Sequence, residues 1–430
     1  MRTVDPLWSS AQARELVDRH DPGGLVRLGR IGRGWRQADL GALLRCSAST
    51  VSRMEQRGRT ADLALLREAA RKVGVPTHVL SAALGLGALP PTRVTADGPR
   101  CVEEDPMRRR TLLAAASLAI PAQALVGMDA ALAITPDPTG STVPLDARIS
   151  RARALFDAGR HAELLATLPG LLADAQHSAR SRADLALARL SACYSLASQV
   201  LVKIGRYERA RLTADRATVY ADLSGSPLAA AAAARELSIV LRHQNQADTA
   251  QRLILDAASQ VEATGLTTQA QAAAYAQMLC TTSYTAARAG DRDQAQAMIC
   301  EASRAARRLP QQAPSARLFP ITPAAVVLYE VGVHWALGDA GAALQAGRSL
   351  RAEQFSTAER KGRMHTDLGR AWWQWGKAEQ TTRELLSALR VSRGEVCDRP
   401  AIRKIVDDLS ERHPQVSGVR ELVAAAHARG

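Results

Sequence analysis

Apolar residues recur at three- and four-residue intervals along nearly the whole 430-residue chain, the spacing that turns one helix face inward. Alternating runs of the kind a half-buried strand needs are almost missing, so the pattern predicts an all-α protein. The early helices are short. Asp21-Pro22 has the cap and first-turn chemistry of a helix start, and Leu25, Leu28 and Ile31 follow at helical spacing until Gly32 and Gly34 end the run. A second helix, QADLGALL from Gln37 to Leu44, turns Leu40, Leu43 and Leu44 inward, with Gly41 allowing close approach. After Arg45-Cys46, Ser47 can cap a third, SASTVSRMEQ, with Val51 and Met54 buried. A fourth, ADLALLREAARKVG, buries Leu63, Leu66, Ala70 and Val73 and stops at Gly74. Pro76 opens a fifth, through Leu80 and Leu84.

Beyond this block the texture changes twice. Residues 86–105 (LGALPPTRVTADGPRCVEED) read as a linker, and a second loop, TPDPTGSTVPLD, lies at 135–146. From there a landmark recurs, a Gly turn followed by a polar pair and then Ala: AGRHAE at 158–163, IGRYERA at 204–210, AGDRDQA at 289–295 and LGDAGAA at 337–343. Weaker copies are NQADTA at 245–250 and WGKAEQT at 375–381. With turn residues at 159, 205, 245, 290, 338 and 376, the steps are 46, 40, 45, 48 and 38. A period near forty residues predicts stacked helical pairs, since no single pair buries its own apolar face. The expected organisation is an N-terminal arm over 1–20, a helical domain over 21–85, a linker region over 86–145 and a helical-repeat domain over 146–430.

Charge sharpens the reading of the first block. The chain carries a formal net charge of +14, which suits a polyanionic partner without choosing among them. Between Leu25 and Arg59 stand eight arginines (27, 30, 33, 36, 45, 53, 57, 59) against Asp39 and Glu55. The excess is concentrated there.

RQADLGALLRCSASTVSRMEQRGR resembles the helix-turn-helix of the phage-repressor-like (XRE) family of DNA-binding regulators. Gln37 opens the motif, Gly41 fills its small-residue slot, Ser47 stands at the turn, and Ser49-Thr50-Val51-Ser52-Arg53 begins its second helix. The resemblance implies a second helix lying in the major groove, with Ala48, Ser49, Ser52 and Arg53 at base edges. It implies phosphate contacts from Gln37, Thr50 and Arg57, and leaves Glu55 to brace an arginine inside the domain. One position departs from the family: the turn slot that usually carries Gly holds Arg45, where a left-handed backbone costs a side chain roughly 1 kcal/mol.

The repeat region resembles tetratricopeptide repeats, with its G-x-x-x-x-A turn and nearby Tyr194, Tyr207 and Tyr220, although its steps are longer than that family's. That resemblance implies a superhelix whose concave face takes a peptide or small molecule, with Arg242, His243, Asn245, Tyr284, His334 and Trp335 as candidate lining residues. AWWQWG at 371–376 is read as core and end-cap packing. The two resemblances together imply a cytoplasmic transcriptional regulator, a homodimer on a palindromic double-stranded operator, responding to an effector. Two alternatives remain at this point: a ligand-independent regulator whose repeats recruit a protein, and a scaffold with a vestigial DNA domain.

Little points to other chemistry. No Walker loop, nucleophile elbow, paired-carboxylate signature or metal-ligand spacing occurs, so no enzymatic role, cofactor or metal is expected. GRIGRG at 29–34 lacks the preceding strand and following Lys-Ser/Thr of a phosphate-binding loop, and the G-L-G at 85–87 lacks its strand as well. Six dispersed cysteines read as reduced thiols. MRRRTLLAAASLAIPAQALVG at 107–127 has the look of an export signal, but its apolar run from Leu112 to Ile120 is nine residues, short of the ~20 a membrane span needs. The expectation is a helix over about 107–134 joining the two domains, with Arg108, Arg109 and Arg110 near DNA backbone or an acidic patch.

Overall fold

The computed structural model describes residues 6–57, 63–84, 122–134, 136–314 and 318–427. Every regular element among them is helical, so the chain is all-α as the periodicity predicts. It divides into two compact units, Met1–Leu118 with Gln374–Gly376, and Ala119–Trp373 with Lys377–Gly430.

The first unit is a cluster of short helices: α1 (Ala11–Asp18), α2 (Pro22–Gly32), α3 (Gln37–Leu43), α4 (Ala48–Arg57), α5 (Leu63–Lys72) and α6 (Thr77–Ala83). Caps set the starts. Ser10 Oγ accepts from the Ala13 N–H, and Asp21 accepts from the Gly24 N–H at 2.8 Å with Pro22 in the first turn behind it. Leu25, Val26, Leu40, Val51, Met54, Leu66, Ala70 and Val73 form the core. The expected arm is part of this core: α1 packs on α2 and α6, and Trp8 and Ala13 are buried, so only its first residues lie outside the described chain. Two expected core positions are corrected. Ile31 and Leu43 face outward, each within a turn of the end of its helix, where no described residue covers that side.

The second unit stacks six helical pairs: α8 (Leu145–Asp157) with α9 (His161–Ala179), α10 (Asp184–Lys203) with α11 (Tyr207–Leu223), and α12 (Pro227–His243) with α13 (Ala247–Glu262). α14 (Gln269–Ala289) with α15 (Arg292–Ala306), α16 (Pro323–Ala336) with α17 (Ala340–Ala346), and α18 (Ala358–Gln374) with α19 (Ala378–Val391) complete the series. All six turn residues marked by the sequence repeat take left-handed backbone: Gly159, Gly205, Asn245, Gly290, Gly338 and Gly376, at φ between +60° and +87°. The long period has a simple cause. Helices such as α10 and α14 run 20 and 21 residues, so a pair outgrows the tetratricopeptide repeat unit.

Small side chains let these helices lie close. Ala210, Ala214, Ala217 and Ala221 on α11, with Ala229 and Ala233 on α12, are buried beside Leu190, Leu201 and Leu237. Trp373 belongs to the terminal core with Leu385 and Val406, as the AWWQWG reading expects. Three further helices, α20 (Arg393–Cys397), α21 (Pro400–Arg412) and α22 (Val419–His427), close the unit onto its own beginning. A Cβ on Gly159 would run into Ser392 Oγ, and the His161 Nδ1 lies 2.8 Å from Asp398 Oδ2.

The export-like segment is corrected in part. Its described portion, α7 (Ala122–Ala133), packs on α9 and α11 within the second unit, with Leu125, Met128 and Leu132 in the core. Asp129 receives the Arg209 guanidinium there. Residues 107–121, including Arg108, Arg109, Arg110 and the apolar run, lie outside the described residues, as do the 86–105 linker and Cys101. The other five cysteines are free thiols. One described helix, α10, is long and apolar enough to cross a membrane, but twelve of its twenty residues are buried inside the unit.

Candidate functional site

In the first unit a tight turn joins α3 to α4 between Leu43 and Ala48. Gly41 lies against the turn: a Cβ there would come within 2.7 Å of the Cys46 carbonyl oxygen, and the Cys46 N–H donates to the Gly41 carbonyl at 2.9 Å. Arg45 takes the left-handed conformation, φ +54°, so the turn keeps its geometry despite lacking glycine. Ser47 caps α4 by accepting from the Thr50 N–H at 3.2 Å, and its hydroxyl lies 2.7 Å from that of Ser49.

Behind the motif sits a buried polar brace. Arg30 on α2, 0% exposed, donates Nε to Glu55 Oε1 at 2.6 Å and Nη2 to Oε2 at 2.8 Å. Its Nη1 reaches the Trp35 carbonyl at 3.0 Å. Gln37 Nε2 donates to the same carboxylate at 3.1 Å. Three helices are thereby held by one fully buried carboxylate, the bracing role expected for Glu55.

This arrangement sorts the predicted contact residues. Arg53 is exposed one turn into α4, its Nε 3.4 Å from the Ser49 carbonyl, and Ala48, Ser49 and Thr50 are half-buried on the helix's first turn. Two assignments are corrected. The Gln37 side chain is buried on Glu55 and does not face outward for a phosphate, and Ser52 is 5% exposed, beside Gln56 Nε2, rather than open to a base edge. Arg57 ends α4, and its side chain lies outside the described residues. Arg45, which sequence reasoning treated only as a misfit in the turn, is exposed beside this surface.

In the second unit the first helices of the pairs carry a band of charge along the inner face. At one end Lys203 donates Nζ to Glu359 at 2.5 Å and also to Glu395, tying α10 to α18 and α20. Burial pushes Glu359 up, but Lys203 and Arg360 outweigh it and hold the carboxyl below its usual range. Further along, Arg235 bonds the Thr281 and Tyr329 hydroxyls at 3.1 and 3.0 Å. Arg242 lies 4.8 Å over the Tyr284 ring, and Arg370 lies 3.4 Å over Trp335. His243 stacks on Tyr207 at 4.4 Å.

Of the six predicted lining residues, Arg242, His243, Tyr284 and Trp335 therefore meet in this band. Asn245 and His334 do not. Asn245 is the exposed left-handed turn residue after α12, and His334 faces Glu330 on its own helix at 3.8 Å.

No family model and no curated protein sequence matches this chain. Two solved structures overlap it loosely. BtubC (BKLC) from P. vanneervenii is 16% identical with a TM-score of 0.36, covering 58% of this chain and 91% of that one. A Rap protein complexed with competence and sporulation factor is 14% identical with the same TM-score of 0.36, covering 66% of this chain and 88% of that one. Overlaps this loose carry no inference about role.

The residues that sequence reasoning missed are the arginines of α18 and the segment after it. Arg363 and Arg370 donate to Asp367 at 2.6 and 3.1 Å, and Arg399 donates to Glu395 and the Thr366 hydroxyl, both at 2.8 Å. The run RKGRMHTDLGR carried a partial signal, since three arginines recur there at helical spacing and Asp367 is one turn from Arg363 and Arg370.

Proposed function

We propose that the chain is a transcriptional regulator of the phage-repressor-like helix-turn-helix type, acting in the cytoplasm. In this reading the first unit binds an operator, and the helical-repeat unit dimerises and senses a peptide or small-molecule effector. No catalytic step enters it. What carries the reading is the α3–turn–α4 geometry: a capped second helix with Arg53 exposed on its first turns, fixed from behind by Arg30, Glu55 and Gln37. Arg53 has the reach for a bidentate contact to guanine O6 and N7, with Ala48 and Ser49 beside it for a thymine methyl or a base edge. Thr50 and Arg57 supply register through phosphates, and the exposed Arg45 joins them in place of Gln37.

The test is selection of genomic fragments by the full chain, followed by titration of the selected site and a scrambled duplex. Arg53→Ala should lose about 1–3 kcal/mol of discrimination while keeping its helical circular dichroism. Thr50→Ala should weaken binding to both duplexes alike and flatten the salt dependence. Equal binding of the selected and scrambled duplexes by the wild type sinks sequence-specific regulation.

A further inference from the structure

The guanidiniums midway along the inner face outnumber the acids that answer them. Arg242 comes from α12, Arg288 from α14, Arg363 and Arg370 from α18, and Arg399 from the start of α21. The carboxylates bonded directly to these guanidiniums are Asp367 and Glu395, and both are taken. Asp367 accepts from Arg363 and Arg370, and Glu395 accepts from Arg399 and Lys203. Arg242 has the Thr285 hydroxyl at 3.2 Å and the Tyr284 ring, but no carboxylate among the described residues. Arg288 stands exposed at the end of α14, with no acidic partner among them either.

Three neighbouring groups register the resulting positive potential, each in the direction it demands. Burial lowers His243, and Arg242, Arg288, Arg363 and Arg399 lower it further, to about 3. Burial also lowers Arg242; Tyr284 and Tyr329 oppose it, Arg288 and Arg363 add to it, and the result is about 10. Tyr284 moves against its own burial: burial raises the phenol, but Arg370, Arg288 and Arg242 hold it down at about 8. Arg242 and Arg288 are the two guanidiniums of this group that no carboxylate among the described residues answers. Arg370 is engaged, with Nη1 on Asp367 and Nη2 on the Tyr284 hydroxyl, whereas Arg242 lies over the Tyr284 ring with Nη1 on the neutral Thr285 hydroxyl, so its charge is still available to an oxyanion.

We propose that this arginine cluster is an oxyanion site, taking an effector through a group that bears two or more negative charges, with Arg242 and Arg288 as its direct donors. Phosphate and clustered carboxylates share the required chemistry. The proposal deepens the sensing half of the function proposed above and rests on it, while it is independent of how the first unit reads DNA. A bound dianion would bridge Arg242 on α12 and Arg288 on α14 to the arginines of α18.

Inorganic pyrophosphate and citrate, titrated into the full chain by calorimetry and thermal melting against chloride of equal ionic strength, test it. Saturable binding that raises the melting temperature is expected, with preference between the two probes distinguishing phosphate from carboxylate ligands. Arg288→Gln, at an exposed position that folding does not need, should weaken binding by at least about tenfold, as should Arg242→Gln if its circular dichroism is unchanged. Bound anion should also carry the Tyr284 ionisation up from about 8 toward the ordinary phenol value near 10. Arg53→Ala should leave all of this in place. The site is refuted if stabilisation does not exceed that of chloride, if Arg288→Gln binds as well as wild type, or if Arg53→Ala abolishes the binding, which would assign it to α4. Loss of operator binding with anion binding intact would overturn only the DNA-reading half; the reverse would overturn only this site.

Discussion

Removing the Glu55 carboxylate exposes how far the first unit depends on one buried ion pair. Glu55 is 1% exposed and accepts three side-chain hydrogen bonds, two from Arg30 and one from Gln37. In Glu55→Ala the Arg30 guanidinium, itself 0% exposed, loses its carboxylate and keeps the neutral Trp35 carbonyl. Stranding a buried charge in this way costs about 3–5 kcal/mol. At 1.4 kcal/mol per tenfold, that corresponds to a loss of amide protection on the order of 100- to 5,000-fold. Native-state hydrogen exchange read by mass spectrometry resolves it locally, in peptides spanning Leu25–Ile31 on α2 and Val51–Glu55 on α4. Peptides of the second unit, such as those of α14, should keep wild-type protection. The double variant Arg30→Met/Glu55→Met should recover much of the loss, because an apolar pair of similar volume leaves no charge behind. A change below tenfold in Glu55→Ala would mean that apolar packing alone holds α2 on α4, and the bracing argument would fail.

Three other consequences are open to measurement. Arg45→Gly should stabilise the first unit by a few tenths to about 1 kcal/mol in denaturant melts, since φ +54° penalises a side chain; a destabilised variant would contradict this. Gly41→Ala should destabilise by about 1–3 kcal/mol, because the new Cβ meets the Cys46 carbonyl oxygen at 2.7 Å and backbone must move; wild-type stability would show that the turn has slack. Ultraviolet titration should reveal one tyrosine ionising near pH 8, lost in Tyr284→Phe. As an acid whose folded pKa is depressed, Tyr284 contributes stability that is full above its unfolded value near 10 and lost as pH falls through 8, with a slope of at most about 1.4 kcal/mol per pH unit. A phenol titrating only near 10 would remove the positive potential invoked for the inner face.

What the sequence determined by itself is local. Helical periodicity, the caps at Ser10, Asp21 and Ser47, and the six left-handed turns from Gly159 to Gly376 all depend on neighbours within a few residues, so they could be read in order along the chain. Helices α3 and α4 were legible for the same reason, as were the close approach at Gly41 and the bracing role of Glu55. Which side chains face outward was less so: Ile31, Leu43, Gln37 and Ser52 obey the local pattern, and their burial or exposure is set by what lies across from them. The tertiary structure alone decided the pairings across large separations. Arg30 meets Glu55 from 25 residues away, and Lys203 meets Glu359 and Glu395 from 156 and 192 residues away. The surplus of arginine around Tyr284 belongs to this second kind. Each arginine alone is an ordinary charge on a helix, and only stacking the pairs brings five guanidiniums to two carboxylates, because charge balance belongs to a volume of space and not to a stretch of chain.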